Sequence, residues 1–188
     1  MADYKEIKGR TIQSLAADLD SAEGEGQIWF NTTSGDLKTI VPVPASWSSG
    51  GDLNDRRYAL AGAGTQTAAW CVVGYAPGAP GVTVNHEQYD GSSWTELANA
   101  NQSRFHQYSG VGSTTAALFA GGTEDPGTTA KTEKWDGSSW TEVGDLGTAR
   151  YSLGGIGTST AAVVMGGNVS PSEHSEEYDG TSWAEGND

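Results

Sequence analysis

The sequence predicts an all-β protein of three repeats, each of four short strands, preceded by a short helix and a hairpin. Two observations carry this. The hexapeptide Tyr89-Asp90-Gly91-Ser92-Ser93-Trp94 returns as Trp135-Asp136-Gly137-Ser138-Ser139-Trp140 and as Tyr178-Asp179-Gly180-Thr181-Ser182-Trp183. An aromatic, Asp-Gly, two hydroxyl residues and a Trp read as two strands joined by a tight hairpin, because Asp-Gly accepts the positive φ that primed turns require. The closing tryptophans are 46 and 43 residues apart, and Trp47 precedes Trp94 by 47. A period in the forties belongs to repeat architectures. Composition is the second observation: 27 glycines in 188 residues, with 18% charged, ask for many turns and short strands.

The repeats share more than the hairpin. Each opens with an Arg-aromatic pair: Arg57-Tyr58, Arg104-Phe105 and Arg150-Tyr151. A small-residue strand and a Gly/Thr turn follow, then an apolar strand: Trp70 to Val73, Leu118 to Ala120, Val163 to Met165. That strand ends in Gly121-Gly122 and Gly166-Gly167, but in Val73-Gly74 in the first repeat, which predicts a distorted turn there. After a variable loop, each repeat closes on a strand with Glu two residues before the aromatic: Glu87, Glu133 and Glu176. Recurrence in every unit marks a structural role, since a catalytic centre needs different groups converging on one point. We therefore expect Arg57, Arg104 and Arg150 to pair with Glu87, Glu133 and Glu176, within or between repeats, and the recurring Trp and Tyr to pack in cores and hairpins. Recognition on such a scaffold falls to the loops 75–82, 123–130 and 168–174.

Four strands per unit, an apolar second strand ending in Gly-Gly and an aromatic-Asp pair before Trp resemble the kelch repeat of β-propellers. The likeness covers residues 47–188, in units of about 47–93, 94–139 and 140–182, with Trp183-Ala184-Glu185-Gly186 read as the start of a fourth. It implies four-stranded antiparallel blades arranged radially. Propellers close with about four to eight blades, so three units make an incomplete ring. The chain is thus a fragment of a longer propeller, or its subunits complete one another as homo-oligomer or filament.

Residues 1–46 read as an assembly segment. Ile12, Leu15, Ala16 and Leu19 fall at helical spacing behind Thr11 as cap, predicting a short amphipathic helix over 11–20. Gln27 to Asn31 and Leu37 to Val41 flank a Gly-containing loop and predict a hairpin, with Val41-Pro42-Val43-Pro44 as a stiff spacer. Neither element is stable alone, so Ile12, Leu15, Leu19, Ile28, Trp29 and Phe30 are expected at a subunit contact. Helix, hairpin and Gly/Thr-rich repeats in this order look like the tail-fibre and virion appendage proteins of bacteriophages. The likeness rests on residues 26–38, and it implies a virion or extracellular place reached by lysis or assembly.

Ten basic against 24 acidic residues give a net charge of −14, which opposes nucleic-acid phosphates and anionic membranes. No window reaches the roughly 18 apolar residues of a membrane helix, and the first eight residues lack an apolar signal-like run. Cys71 is the one cysteine and lies in an apolar run, as a buried inert thiol would. Enzymes of the galactose oxidase type resemble the chain in fold only. His86, His106 and His174 sit at non-equivalent positions and read as surface residues, so no metal or cofactor is expected. The Asp box of sialidases does not match, because Trp94 follows Asp90 by four residues. The expected function is that of a non-enzymatic structural subunit, self-assembling and adhesive, with surface glycans as the alternative ligand of the loops.

Overall fold

A computed structural model describes residues 13–17, 28–39, 48–78, 81–124, 127–168 and 174–186. These residues are all β and turn, with no helix among them. The chain divides into two units, 1–48 and 49–188.

In the first unit, β1 (Gln13–Leu15) runs parallel to β2 (Ile28–Asn31), and β2 pairs antiparallel with β3 (Asp36–Thr39). The expected hairpin forms; the expected helix does not. A helix of ten residues gains too few internal hydrogen bonds to offset its nucleation, whereas the edge of β2 offers partners at once. Thr32 donates its backbone N–H to the Leu15 carbonyl at 2.8 Å, and the Thr33 hydroxyl donates to that of Ala16. Leu15 therefore lies on a strand, not a helix face, while Thr11, Ile12, Leu19 and the Pro spacer lie outside the described residues. Asn31 closes the hairpin by accepting N–H bonds from Thr33 and Ser34, and Gly35 takes φ +77°. Trp29 is buried, while Ile28 and Phe30 on the opposite face are exposed.

The second unit holds three four-stranded antiparallel sheets, each a simple meander apart from one small ribbon. The first comprises β4 (Ala61–Thr65), β5 (Ala68–Val72), β6 (His86–Tyr89) and β7 (Trp94–Leu97). In the second, β8 (Val111–Ser113) and β9 (Ala116–Ala120) are followed by the ribbon β10 (Thr123–Glu124) and β11 (Gly127–Thr128), then by β12 (Thr132–Trp135) and β13 (Trp140–Val143). The third is β14 (Gly154–Thr158), β15 (Ala161–Met165), β16 (Ser175–Tyr178) and β17 (Trp183–Glu185). Each closing Trp thus sits in the last strand of its own sheet, opposite Tyr89, Trp135 or Tyr178. Trp183-Ala184-Glu185 finishes the third sheet and does not begin a fourth. The repeat boundary falls after the Trp strand; Trp47 lies outside the described residues.

The hexapeptides close as four-residue loops, not as two-residue primed turns. Only the glycine turns left-handed, at φ +98°, +100° and +101° for Gly91, Gly137 and Gly180. The aspartate acts as an acceptor: Asp90 Oδ1 takes N–H bonds from Ser92 and Ser93 at 2.8 and 2.9 Å, with the same pattern at Asp136 and Asp179. Across each loop the two rings meet at 5.2, 5.4 and 5.0 Å.

The sheets stack face to face and approach closest at their first strands, where glycine is obligatory. A Cβ on Gly110 would lie 2.5 Å from the Gly62 nitrogen, and one on Gly155 would lie 2.7 Å from the Ser109 carbonyl oxygen. Between the first and second sheets, Trp70 and Val72 pack against Phe119, Trp135 and Trp140. Between the second and third, Val111 and Leu118 meet Ala162 and Tyr178, and Ala120 meets Val164 and Leu146.

Candidate functional site

Two constructions hold the second unit together and a third forms part of its surface. The first is an ion pair inside each sheet. Arg57 Nη1 lies 2.8 Å from Glu87 Oε1, Arg104 pairs with Glu133, and Arg150 with Glu176, every partner nearly or wholly buried. The arginine precedes the first strand and the glutamate lies on the third, so each pair ties the ends of its own sheet. The remaining carboxylate oxygen takes the backbone N–H of Asn54, Asn101 or Gly147 from the incoming chain. Asn54 and Asn101 add a side-chain N–H to the same oxygen, which Gly147 cannot. Arg57 also donates to the sulfur of Cys71 at 3.2 Å, and burial raises this thiol above its ordinary pKa.

The second construction joins successive sheets. The backbone N–H of Gly74 donates to the carbonyl of Arg104, and that of Gly122 to the carbonyl of Arg150, at 2.8 and 2.9 Å. The Trp140 indole donates to His86 Nδ1 at 3.2 Å, and the Trp183 indole to the Thr132 hydroxyl at 3.0 Å. His86 is therefore no surface residue but wholly buried between sheets, with its ring edge-on to Trp135 at 4.5 Å. Burial holds its pKa at about 4; Nδ1 faces both the Trp140 indole N–H, from which it accepts when unprotonated, and the Ala98 carbonyl at 3.3 Å, to which it donates when protonated. Nothing in the repeats marks His86, because its counterparts are Thr132 and Ser175.

The turn at Val73 is not distorted. Val73 N–H bonds the Asn85 carbonyl at 2.9 Å, as Gly121 bonds Lys131 and Gly166 bonds His174. Val73 reaches this by adopting φ +55°, a left-handed conformation that costs a β-branched residue strain.

The third construction is a surface. The Arg-aromatic residues lie at the loop end of the sheets, where the rings form a connected row. Tyr58 meets Tyr75 at 5.3 Å, Tyr75 meets Phe105 at 6.0 Å, Phe105 meets His106 at 4.4 Å and His106 stacks on Tyr151 at 5.4 Å. Tyr75 and His106 are invisible to the repeat pattern, having no counterparts of their kind. The loops beside them are described only in part, since 79–80, 125–126 and 169–173 lie outside the described residues.

The outward side of the third sheet is different again. Its Ile156, Val163 and Met165 hold the register positions that Val111, Leu118 and Ala120 hold in the second sheet. Val111 is 2% exposed and Ile156 is 59% exposed; Ala120 is fully buried and Met165 is 40% exposed. The opposite end shows the reciprocal lack. On the first sheet Leu53, Ala69, Tyr89 and Trp94 are only partly buried, whereas Leu146, Ala117, Trp135 and Trp140, which pack against a preceding or following sheet, are buried.

No protein-family model and no curated protein matches the chain. Among solved structures, one titled "Structure of YjhT" superposes with a TM-score of 0.53 at 14% identity, over 85% of this chain and 51% of that one. The chain spans about half the length of that structure, and the likeness concerns the fold alone.

Proposed function

We propose that the three sheets are kelch-like blades of an incomplete β-propeller, and that the protein is a non-enzymatic structural subunit which completes itself with further copies. The observation that carries this is the uncovered apolar side of the third sheet, Ile156 and Met165, at positions that are buried in the second sheet and at least partly buried in the first, where a next sheet follows. Terminal units of a repeat array normally present a polar outer face, because nothing packs there. Here the residues are those of an internal unit.

The occupant that fits is the first sheet of a second copy, since the chain twice shows how such a sheet docks. In that arrangement Leu53 and Trp94 of the second copy cover Met165 and Ile156. The Trp94 indole faces Ser175 as Trp140 faces His86, and Gly167 receives the Arg57 carbonyl as Gly122 receives that of Arg150. Trp94 now gives its N–H to the Gly51 carbonyl at 3.1 Å, a bond that this docking exchanges. The contact is head to tail, so it closes into a ring or propagates as a filament according to its rotation. Two copies would supply six blades. The N-terminal sheet, with Ile28 and Phe30 exposed, is a second assembly surface. Its resemblance to phage tail-fibre and virion appendage proteins supports a role in a tail fibre or extracellular filament.

Electron microscopy of the purified full chain tests this reading. It predicts rings or filaments of repeating subunits; discrete single-chain particles at high concentration contradict it.

A further inference from the structure

We infer that the aromatic row at the loop end is a binding site for a neutral, extended oligosaccharide, independent of how the subunits assemble. A cage of rings around one point would take a compact cation, whereas Tyr58, Tyr75, Phe105, His106 and Tyr151 follow one another in a line from the first sheet to the third. A line of rings suits a linear ligand. Its members are only partly buried, and Tyr58 at the open end is 56% exposed.

The chain accepts strain to keep the row in place. The residue after each Arg-aromatic pair, Ala59, His106 and Ser152, holds φ of +55°, +55° and +57° without being glycine. Left-handed non-glycine positions that recur in a fold persist only where the surroundings over-determine them, and they gather at ligand-holding sites. Here they link the sheets: Gln107 N–H donates to the Ala59 carbonyl, and Ser152 N–H to that of His106. The second repeat also departs from the others, two residues after His106. Thr65 lies eight positions after Arg57 and Thr158 eight after Arg150, but Ser113 lies nine after Arg104. The extra length places Tyr108 next to Gln107, and Tyr108 is 53% exposed. An inserted residue that projects a large ring into water has no packing reason.

The chemistry of the row selects the ligand. Its rings are part apolar surface and part hydroxyl and imidazole, and an amide joins them where Asn168 Nδ2 donates to the Tyr151 hydroxyl at 2.5 Å. Tyrosine combines an apolar body with a polar tip, which matches a sugar ring with C–H faces and hydroxyl edges. No lysine or arginine belongs to the row, and the net charge of −14 opposes polyanions.

Calorimetric titration of the full chain with cellohexaose, chitohexaose, hexagalacturonate and a decaproline peptide tests the assignment. The expected result is binding of a neutral hexamer, weakened about tenfold or more in Tyr58→Ala and in Tyr108→Ala with unchanged unfolding midpoints, and retained in the assembly variant Ile156→Glu. Absence of binding by both neutral hexamers would overturn it. So would equal binding by parent and both tyrosine variants, or binding of the polyanion or the peptide in place of the neutral sugars.

Discussion

The second and third sheets carry the same pattern on their outward sides and differ in what lies against them. Val111, Leu118 and Ala120 are closed off beneath the third sheet; at the same positions Ile156 and Met165 are exposed and Val163 is half-buried. The strands pair alike, and the Arg–Glu ties are made in both. The fold of one sheet is therefore set from within, while its burial is conferred by a neighbour. The third sheet keeps large apolar residues on a side that nothing covers among the described residues, which is the observation behind the proposed docking.

The largest effects test whether each sheet is held from within. Removing a buried carboxylate strands a buried guanidinium, so Glu133→Ala and Glu176→Ala should each cost about 3–5 kcal/mol in chemical denaturation. A much smaller cost in the third sheet would mean that the ties depend on being covered, and would break the comparison. The next effect should separate the two sides. Leu118→Ala is expected to cost about 2–5 kcal/mol, because it opens a cavity between sheets. Ile156→Ala should stay within about 0.5 kcal/mol in dilute single chains.

The contact between the first and second sheets should fail in acid. His86 titrates near 4 in the folded protein, against 6.5 for a histidine in water. Its folded pKa is depressed, so the unfolded chain binds the proton first. Stability is complete above pH 6.5 and declines as pH falls toward 4, by about 3 kcal/mol. His86→Gln should flatten that stretch of a stability-against-pH curve; an unchanged curve would place the titration elsewhere. Below pH 4 a second loss follows as Asp90 and Asp136, held at about 2 by the serine N–H groups of their loops, take up protons. The smallest effect is a gain. Ser152 is exposed and left-handed at φ +57°, so Ser152→Gly should raise stability by about 0.5–1 kcal/mol in thermal unfolding.

What is legible in the sequence is whatever repeats. The threefold recurrence of Arg, Glu and the Asp-Gly-x-x-Trp loop exposes the strands and the positions that meet, because equivalent residues in equivalent sheets have equivalent partners. Pairing with a non-repeating partner stays hidden. The spacing of Leu15 reads as helical, but its strand is chosen by a partner sixteen residues on, Asn31, which periodicity does not record. His86 reads as a surface residue because its burial comes from Trp140, a residue of the next sheet. The row from Tyr58 to Tyr151 combines repeated positions with Tyr75 and His106, which occur once. Its repeated members are legible as the Arg-aromatic pairs, while nothing in the sequence marks Tyr75 and His106 as the rings between them. Left-handed backbone at Ala59, His106, Ser152 and Val73 leaves no trace, since none of these is glycine.

In the proposed assembly the outward side of the third sheet is finished by another copy. Sedimentation velocity over a dilution series, run on the parent chain and on Ile156→Glu, measures this most directly. The account predicts multimers in the parent that dissociate on dilution, and single chains at every concentration for the variant, with both folded by circular dichroism. A parent chain that sediments as a monomer throughout, or a variant that assembles as the parent does, would contradict it.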